Sequence, residues 1–178
     1  KIDLKKITWF PAVIKPYVNG GGSAHVYIVQ NQTELFGLSD FLDLNSSTVN
    51  FFAQEYVGHF DEEYTVGVLN DMDGNYINSI AMRRELKGAL SIKYKVKNKT
   101  EKSSLGEFLV ISSGVSQGQV DTFKEINNQC KIISKEIGAK GPLNIQCRFA
   151  QNKVYTFEIN PRFSGTTSIR AMLGFNEP

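Results

Sequence analysis

The chain has 178 residues, with 41% hydrophobic and 21% charged residues and a formal net charge of +2. That is the balance of a globular protein, long enough for one domain or two small subdomains. The charge is too small to argue for a nucleic-acid partner. No apolar run reaches the length of a membrane span, and no signal peptide is visible. Neither a nucleic acid nor a membrane is therefore expected as a partner, and a cytoplasmic location is expected. Cys130 and Cys147 lie far apart without metal-ligand spacing and sit in apolar patterns, as reduced core thiols do. The lack of a starting Met and the abrupt end at Pro178 suggest a piece of a larger protein.

In chain order, Phe10–Pro16 reads as a short strand bounded by prolines, Tyr17–Ala24 as a glycine-rich turn and His25–Val29 as a second strand. Gln32–Leu42 has apolar residues near helical spacing, weakened by Gly37. Phe51–Val57 is a strand after a polar loop. Tyr64–Leu69 and Tyr76–Met82 are strands around the turn Asn70–Asn75, where Asp71 and Asp73 serve the turn; the loop is too short for an EF-hand. Residues 83–118 hold a basic stretch, a polar loop and a strand or helix over Leu105–Ile111. Phe123, Ile126, Cys130, Ile133 and Ile137 place a helix over Asp121–Ile137, which Gly138 ends. Pro161–Gly174 contains a last short helix. His25 and His59 have no partners for a catalytic pair and read as surface or packing residues.

Two strands carry the chemistry. In Gly141–Phe149, Leu143, Ile145, Cys147 and Phe149 form one face, and Asn144, Gln146 and Arg148 the other. In Val154–Asn160 the pattern is β-branched and aromatic until Glu158 and Asn160, and Pro161 stops it. A hairpin turn at Asn152-Lys153 brings Gln146 near Glu158 and Asn160. A carboxylate and carboxamide oxygens are hard ligands that suit Mg²⁺, and the Arg162 guanidinium suits phosphate oxygens. Upstream, Lys15 sets a point charge before Gly20, Gly21, Gly22 and Ser23, a loop whose backbone can approach phosphate.

Leu-Asn-Ile-Gln146 followed by Phe-Glu158-Ile-Asn160-Pro-Arg162 resembles the C-terminal metal and phosphate site of the ATP-grasp superfamily, nearest the carbamoyl phosphate synthase large-subunit branch. The resemblance runs from Phe10 to Pro178. It implies an α+β fold: a small lid subdomain over residues 8–57 and a larger antiparallel-sheet subdomain over 58–178, with ATP between them. It also implies Gln146, Glu158 and Asn160 as ligands of Mg²⁺, for which Mn²⁺ could substitute. Lys15 and the Gly20–Ser23 loop would take the phosphates, and Glu55, Tyr56 and Val57 the adenine edge. Glu63 would bond the ribose hydroxyls, with Glu62 as fallback. Arg162, Lys15 and Arg83 would stabilise phosphate charge, Arg83 being preferred over Arg84 as the inward-facing member of the pair. Many relatives carry a carboxylate where this chain has Gln146, although glutamine also occurs in the carbamoyl phosphate synthase branch. The implied activity is ADP-forming ligation of a carboxylate, or bicarbonate, to an amine through an acyl phosphate. Carboxylate and amine are not identified, and any oligomer would form through parts outside this chain. Rival readings are a nucleotide-binding module without turnover and a member that stops at phosphoryl transfer.

Overall fold

A computed structural model describes residues 6–17, 23–45 and 50–174. The chain divides into two compact units, one of Lys1–Val57 with Ile92–Gly114, the other of Gly58–Ser91 with Val115–Pro178.

In the first unit, β1 (Ala12–Pro16) is the centre of an antiparallel sheet between β2 (Tyr27–Val29) and β3 (Phe51–Glu55). Alternation along β1 feeds two cores. Ala12 and Ile14 pack with Val29 and with Leu35 of α1 (Gln32–Asn45). Asn31 caps α1: its side-chain oxygen accepts the Glu34 N–H at 2.9 Å, and Glu34 reaches back to the Gln30 N–H at 2.8 Å. Val13 and Ile28 face the other way, onto Tyr56, Leu105 and Leu109.

Those last two residues belong with a hairpin of β6 (Ile92–Lys97) and β7 (Phe108–Ser112). The Tyr56 hydroxyl accepts the Val110 N–H at 2.8 Å, and the Gln30 side chain bonds the Lys97 carbonyl and the Lys99 N–H. These contacts draw residues 92–114 into the first unit. The sequence placed everything after residue 57 in one subdomain, because the apolar side of this hairpin shows its partner only once β1 and Tyr56 are in place.

The second unit is a five-stranded sheet in the order β10-β9-β4-β5-β8. Its strands are β4 (Glu63–Asn70), β5 (Tyr76–Arg84), β8 (Gly118–Asp121), β9 (Pro142–Ala150) and β10 (Lys153–Asn160). One face packs on α2 (Lys124–Glu136): Tyr64, Val66, Val68, Ala81, Leu143, Ile145, Cys147 and Val154 meet Ile126 and Cys130. Both cysteines are free thiols; a hydrogen bond donated to Cys130 and burial push the Cys147 thiol up, which favours its protonated form. Asp71 makes the β4–β5 turn, accepting the N–H groups of Asp73 and Asn75 at 2.9 and 2.8 Å. The short helix α3 (Thr167–Met172) follows β10. No helix among the described residues is long and apolar enough to cross a membrane.

Gly118 pairs with Arg84 at the start of edge strand β8, and a Cβ there would lie 1.9 Å from the Arg83 carbonyl oxygen. Backbone cannot swing aside as a side chain can, so Gly118→Ala must displace β8. A loss of about 1–3 kcal/mol is expected, read as a lower urea midpoint; an unchanged midpoint would contradict this packing.

Candidate functional site

The sheet of the second unit turns its other face away from α2, and there the candidate residues gather. On β9, Asn144, Gln146 and Arg148 point to this side, opposite Gly67, Thr65 and Glu63 of β4. Thr65 donates to the Asn144 carboxamide oxygen at 2.8 Å, fixing a buried polar pair beside Gln146.

Strand β10 reaches this face by an irregularity. The hairpin turns on Gln151 and Asn152, both at positive φ, one residue earlier than the sequence suggests. From there the ladder pairs Thr156 with Cys147 on the α2 side. A regular ladder would next set Phe157 opposite Gln146 and send Glu158 and Asn160 towards α2. Instead a bulge absorbs Phe157, so that Glu158 pairs with Gln146 and Asn160 with Asn144. Three oxygen-bearing side chains thereby share one face on adjacent strands.

The Asn160 amide donates to Glu158 Oε1 at 2.7 Å, which leaves Asn160 Oδ1 and Glu158 Oε2 as donor atoms with Gln146 Oε1. One carboxylate and two carboxamide oxygens form a hard, oxygen-only set of the kind Mg²⁺ takes together with water and phosphate. Among the described residues no group of three His, Cys, Asp or Glu side chains offers an alternative centre. Arg162, two residues beyond Asn160, is exposed and donates to the Phe163 carbonyl at 2.9 Å. The loop it begins is held from below by Arg170, 1% exposed, whose guanidinium donates to Ser164 Oγ at 2.8 Å.

The arginine pair after β5 resolves against the expectation. Arg83 lies opposite Tyr64 in the ladder, and Tyr64 faces α2, so Arg83 lies on the side away from Gln146. It bonds Glu62 at 2.6 Å and the Asp61 carbonyl at 2.9 Å. Glu62 also accepts from the Tyr64 hydroxyl at 3.0 Å. Burial first, then this bond, raise the Tyr64 pKa to about 12. Arg84 is the member on the Gln146 face. Its guanidinium donates to Glu63 Oε1 at 2.9 Å, and Arg148 takes Glu63 Oε2 at 3.3 Å. Glu63 is 1% exposed, so the group expected at a ribose is engaged through both oxygens in a buried ion triad.

The remaining candidates lie in the first unit. Lys15 is half-buried and donates to the Gln54 side-chain oxygen at 2.7 Å. Glu55 pairs with Lys102 at 3.3 Å on the surface, while Tyr56 is core. Val57 ends this segment. Ser23 donates to the Ser112 carbonyl at 2.9 Å. Gly20, Gly21 and Gly22 lie outside the described residues.

Residues 110–178 match the family model described as "ATP-grasp in the biosynthetic pathway with Ter operon". Among curated proteins, no sequence matches the chain. Solved structures do. D-alanine–D-alanine ligase from Bacillus anthracis, complexed with ATP, superposes with a TM-score of 0.55 at 18% identity, covering 98% of this chain and 50% of that one. Biotin carboxylase from Campylobacter jejuni, in a β,γ-ATP complex, gives 0.56 at 16% identity, covering 95% and 35%. The chain has the ATP-grasp fold. It spans half or less of the length of these ATP-grasp structures.

Sequence reading set Arg84 aside in favour of Arg83, missed Arg170 and gave Arg148 no role. Arg148 had a signal, since it alternates with Gln146; a buried arginine on a short helix has none.

The bulge is testable by cross-linking. Asn144→Cys with Asn160→Cys should oxidise to a disulfide, because the two positions are direct partners. Asn144→Cys with Ile159→Cys, the pair of a regular ladder, should not. Cross-linking of the second pair alone, followed by mass spectrometry, would remove the bulge.

Proposed function

We propose that the chain binds ATP with Mg²⁺ and is part of an ADP-forming ligase that activates a carboxylate or bicarbonate as an acyl phosphate. The observation that carries this is the alignment of Gln146, Glu158 and Asn160 on one sheet face by the Phe157 bulge. It is supported by the fold shared with a ligase and a carboxylase that bind ATP. The carbamoyl phosphate synthase-like branch, with its glutamine ligand, rests on the resemblance alone.

In this reading Gln146, Glu158 and Asn160 hold Mg²⁺, which supplies charge neutralisation to the phosphates. Arg162 and Lys15 bear on the γ-phosphoryl oxygens as charge shifts during transfer, and the glycine loop ending at Ser23 limits water. Glu55–Val57 offer backbone groups to the adenine edge. A substrate carboxylate oxygen attacks the γ-phosphorus and ADP leaves. An amine then attacks the acyl carbon and inorganic phosphate leaves. The chain's contribution is position and charge, with no covalent step of its own. Glu63 keeps acceptor capacity beyond its two arginine bonds and remains the carboxylate that the resemblance puts at the ribose. Arg83, across the sheet from Gln146, has no part.

Glu158 is exposed, so Glu158→Gln should change stability by less than about 0.5 kcal/mol, yet Mg²⁺-ATP affinity should fall towards the value measured in EDTA. Lys15→Ala should cost about 1.5–3 kcal/mol of nucleotide binding by loss of a charged hydrogen bond. Calorimetric titration in Mg²⁺ and in EDTA reads both; equal wild-type affinities in the two would end the metal assignment.

The reaction class is tested on the whole protein that contains this chain, incubated with ATP, Mg²⁺ and panels of carboxylates and amines. ADP, phosphate and a condensed product in equal amounts are expected. AMP with pyrophosphate would rule out the acyl phosphate. Binding without ADP would favour the module without turnover, and ADP without condensed product the phosphoryl-transfer member.

A further inference from the structure

Arg170 is the largest of the fully buried side chains among the described residues, at 1% exposed. A guanidinium stays charged, and taking it out of water is costly. A space that needed only filling would be served better by an apolar side chain. Its bonds show what it holds. The Arg170 N–H donates to the Thr166 carbonyl at 3.1 Å, and Nη2 donates to Ser164 Oγ at 2.8 Å. Ser164 is a junction. Its Oγ also accepts the Thr166 N–H at 3.0 Å, which occupies both lone pairs, so its own proton is directed to Thr166 Oγ1. Its carbonyl accepts the Thr167 N–H at 3.1 Å and the Thr167 hydroxyl at 2.8 Å. Arg170 thereby grips a turn that closes on itself.

That turn carries a candidate residue. Arg162 lies two residues before Ser164 and two after the metal-ligand candidate Asn160, whose carbonyl accepts the Arg162 N–H at 2.9 Å. Pro161, Arg162 and Phe163 are exposed, whereas Thr166 and Arg170 are buried. The loop therefore has a solvent side, where Arg162 stands, and an inner side, where Arg170 holds it. Only Pro161, Arg162 and Phe163 separate Asn160 from Ser164. The backbone at Arg162 is thus fixed from both ends, by β10 before it and by Arg170 through Ser164 after it.

We infer that Arg170 is a positioning residue: through Ser164 it sets where the Arg162 guanidinium stands relative to Glu158 and Asn160, and so governs the preference for a nucleotide that carries a γ-phosphate. The ligand rests on the proposed function, and the anchorage on bonds within the second unit alone.

The test has two arms, both on the full chain. Hydrogen exchange, which needs no ligand, should show the Thr166 and Thr167 amides exchanging faster in Arg170→Met, with the amides of β9 unchanged. Calorimetric titration with Mg²⁺-ATP and with Mg²⁺-ADP is the second arm. Arg162→Ala should reduce the preference for ATP over ADP about tenfold, one charged hydrogen bond's worth. Arg170→Met should reduce it by about threefold or more, part of the same bond, and leave Mg²⁺-ADP affinity unchanged. In the Arg162→Ala background it should reduce the preference no further, because it acts through that residue. Arg170→Lys keeps a charged donor and should recover part of the preference.

Equal losses on ATP and ADP would make Arg170 a general structural residue. A further loss in the Arg162→Ala background would mean that it acts on the nucleotide by another route. Either result overturns the inference, as does unchanged exchange at Thr166 and Thr167. Equal wild-type affinity for ATP and ADP also overturns it, and leaves the metal assignment standing. If the wild type binds neither nucleotide, the proposed function fails, while the exchange arm still decides the anchorage. Should Arg170→Met not fold, Ser164→Ala, which removes the acceptor and leaves the guanidinium in place, carries both arms with the same expected results.

Discussion

The register of β10 against β9 is the constraint on which the candidate site depends. Side chains alternate across a strand, so a slip of one residue exchanges the faces of everything beyond it. Val154 and Thr156 stay on the α2 side, and Glu158 and Asn160 reach the other only because the bulge at Phe157 changes the count between them. Without it, a carboxylate and a carboxamide would be turned towards the apolar layer formed by Ile126, Cys130 and Ile145. The α2 core and the polar face are therefore not independent. The same ladder that seals one composes the other.

Beside the polar face lies a buried charge cluster, Glu63 with Arg84 and Arg148. Removing ions from water is costly, and an ion pair replaced by apolar groups can be as stable or more so. What the cluster supplies is direction. A carboxylate held by two guanidinium forks has one geometry, and through the Gly58 and Val115 carbonyls that geometry extends to two remote stretches of chain. An apolar plug of the same volume would fill the space without fixing either carbonyl.

Much of this was legible from residues alone. Leu143, Ile145 and Cys147 alternate with Asn144, Gln146 and Arg148, and the structure keeps that division. The helix over α2 followed from five apolar residues at helical spacing. What escaped was anything that depends on counting across a partner. Phe157 has the composition of an ordinary strand residue, and nothing local marks it as the extra one. The choice between Arg83 and Arg84 is a question of parity, decided by which residue lies opposite Tyr64. The apolar side of β6–β7 is visible in Val96, Leu109 and Ile111, but its destination on Val13 and Tyr56 is a long-range fact.

That hairpin bears on how the protein behaves at high concentration. Among the described residues no third strand pairs with β6 or β7, and an open strand edge invites a strand from another molecule. Lys93, Lys95 and Lys97 stand exposed along β6, and Lys95 lies over the Phe108 ring at 4.1 Å. A neighbouring copy approaching that edge would bring its own lysines against these, and the like charges would repel it before any backbone bond formed. A row of exposed lysines is among the means by which sheets discourage pairing of one edge with another.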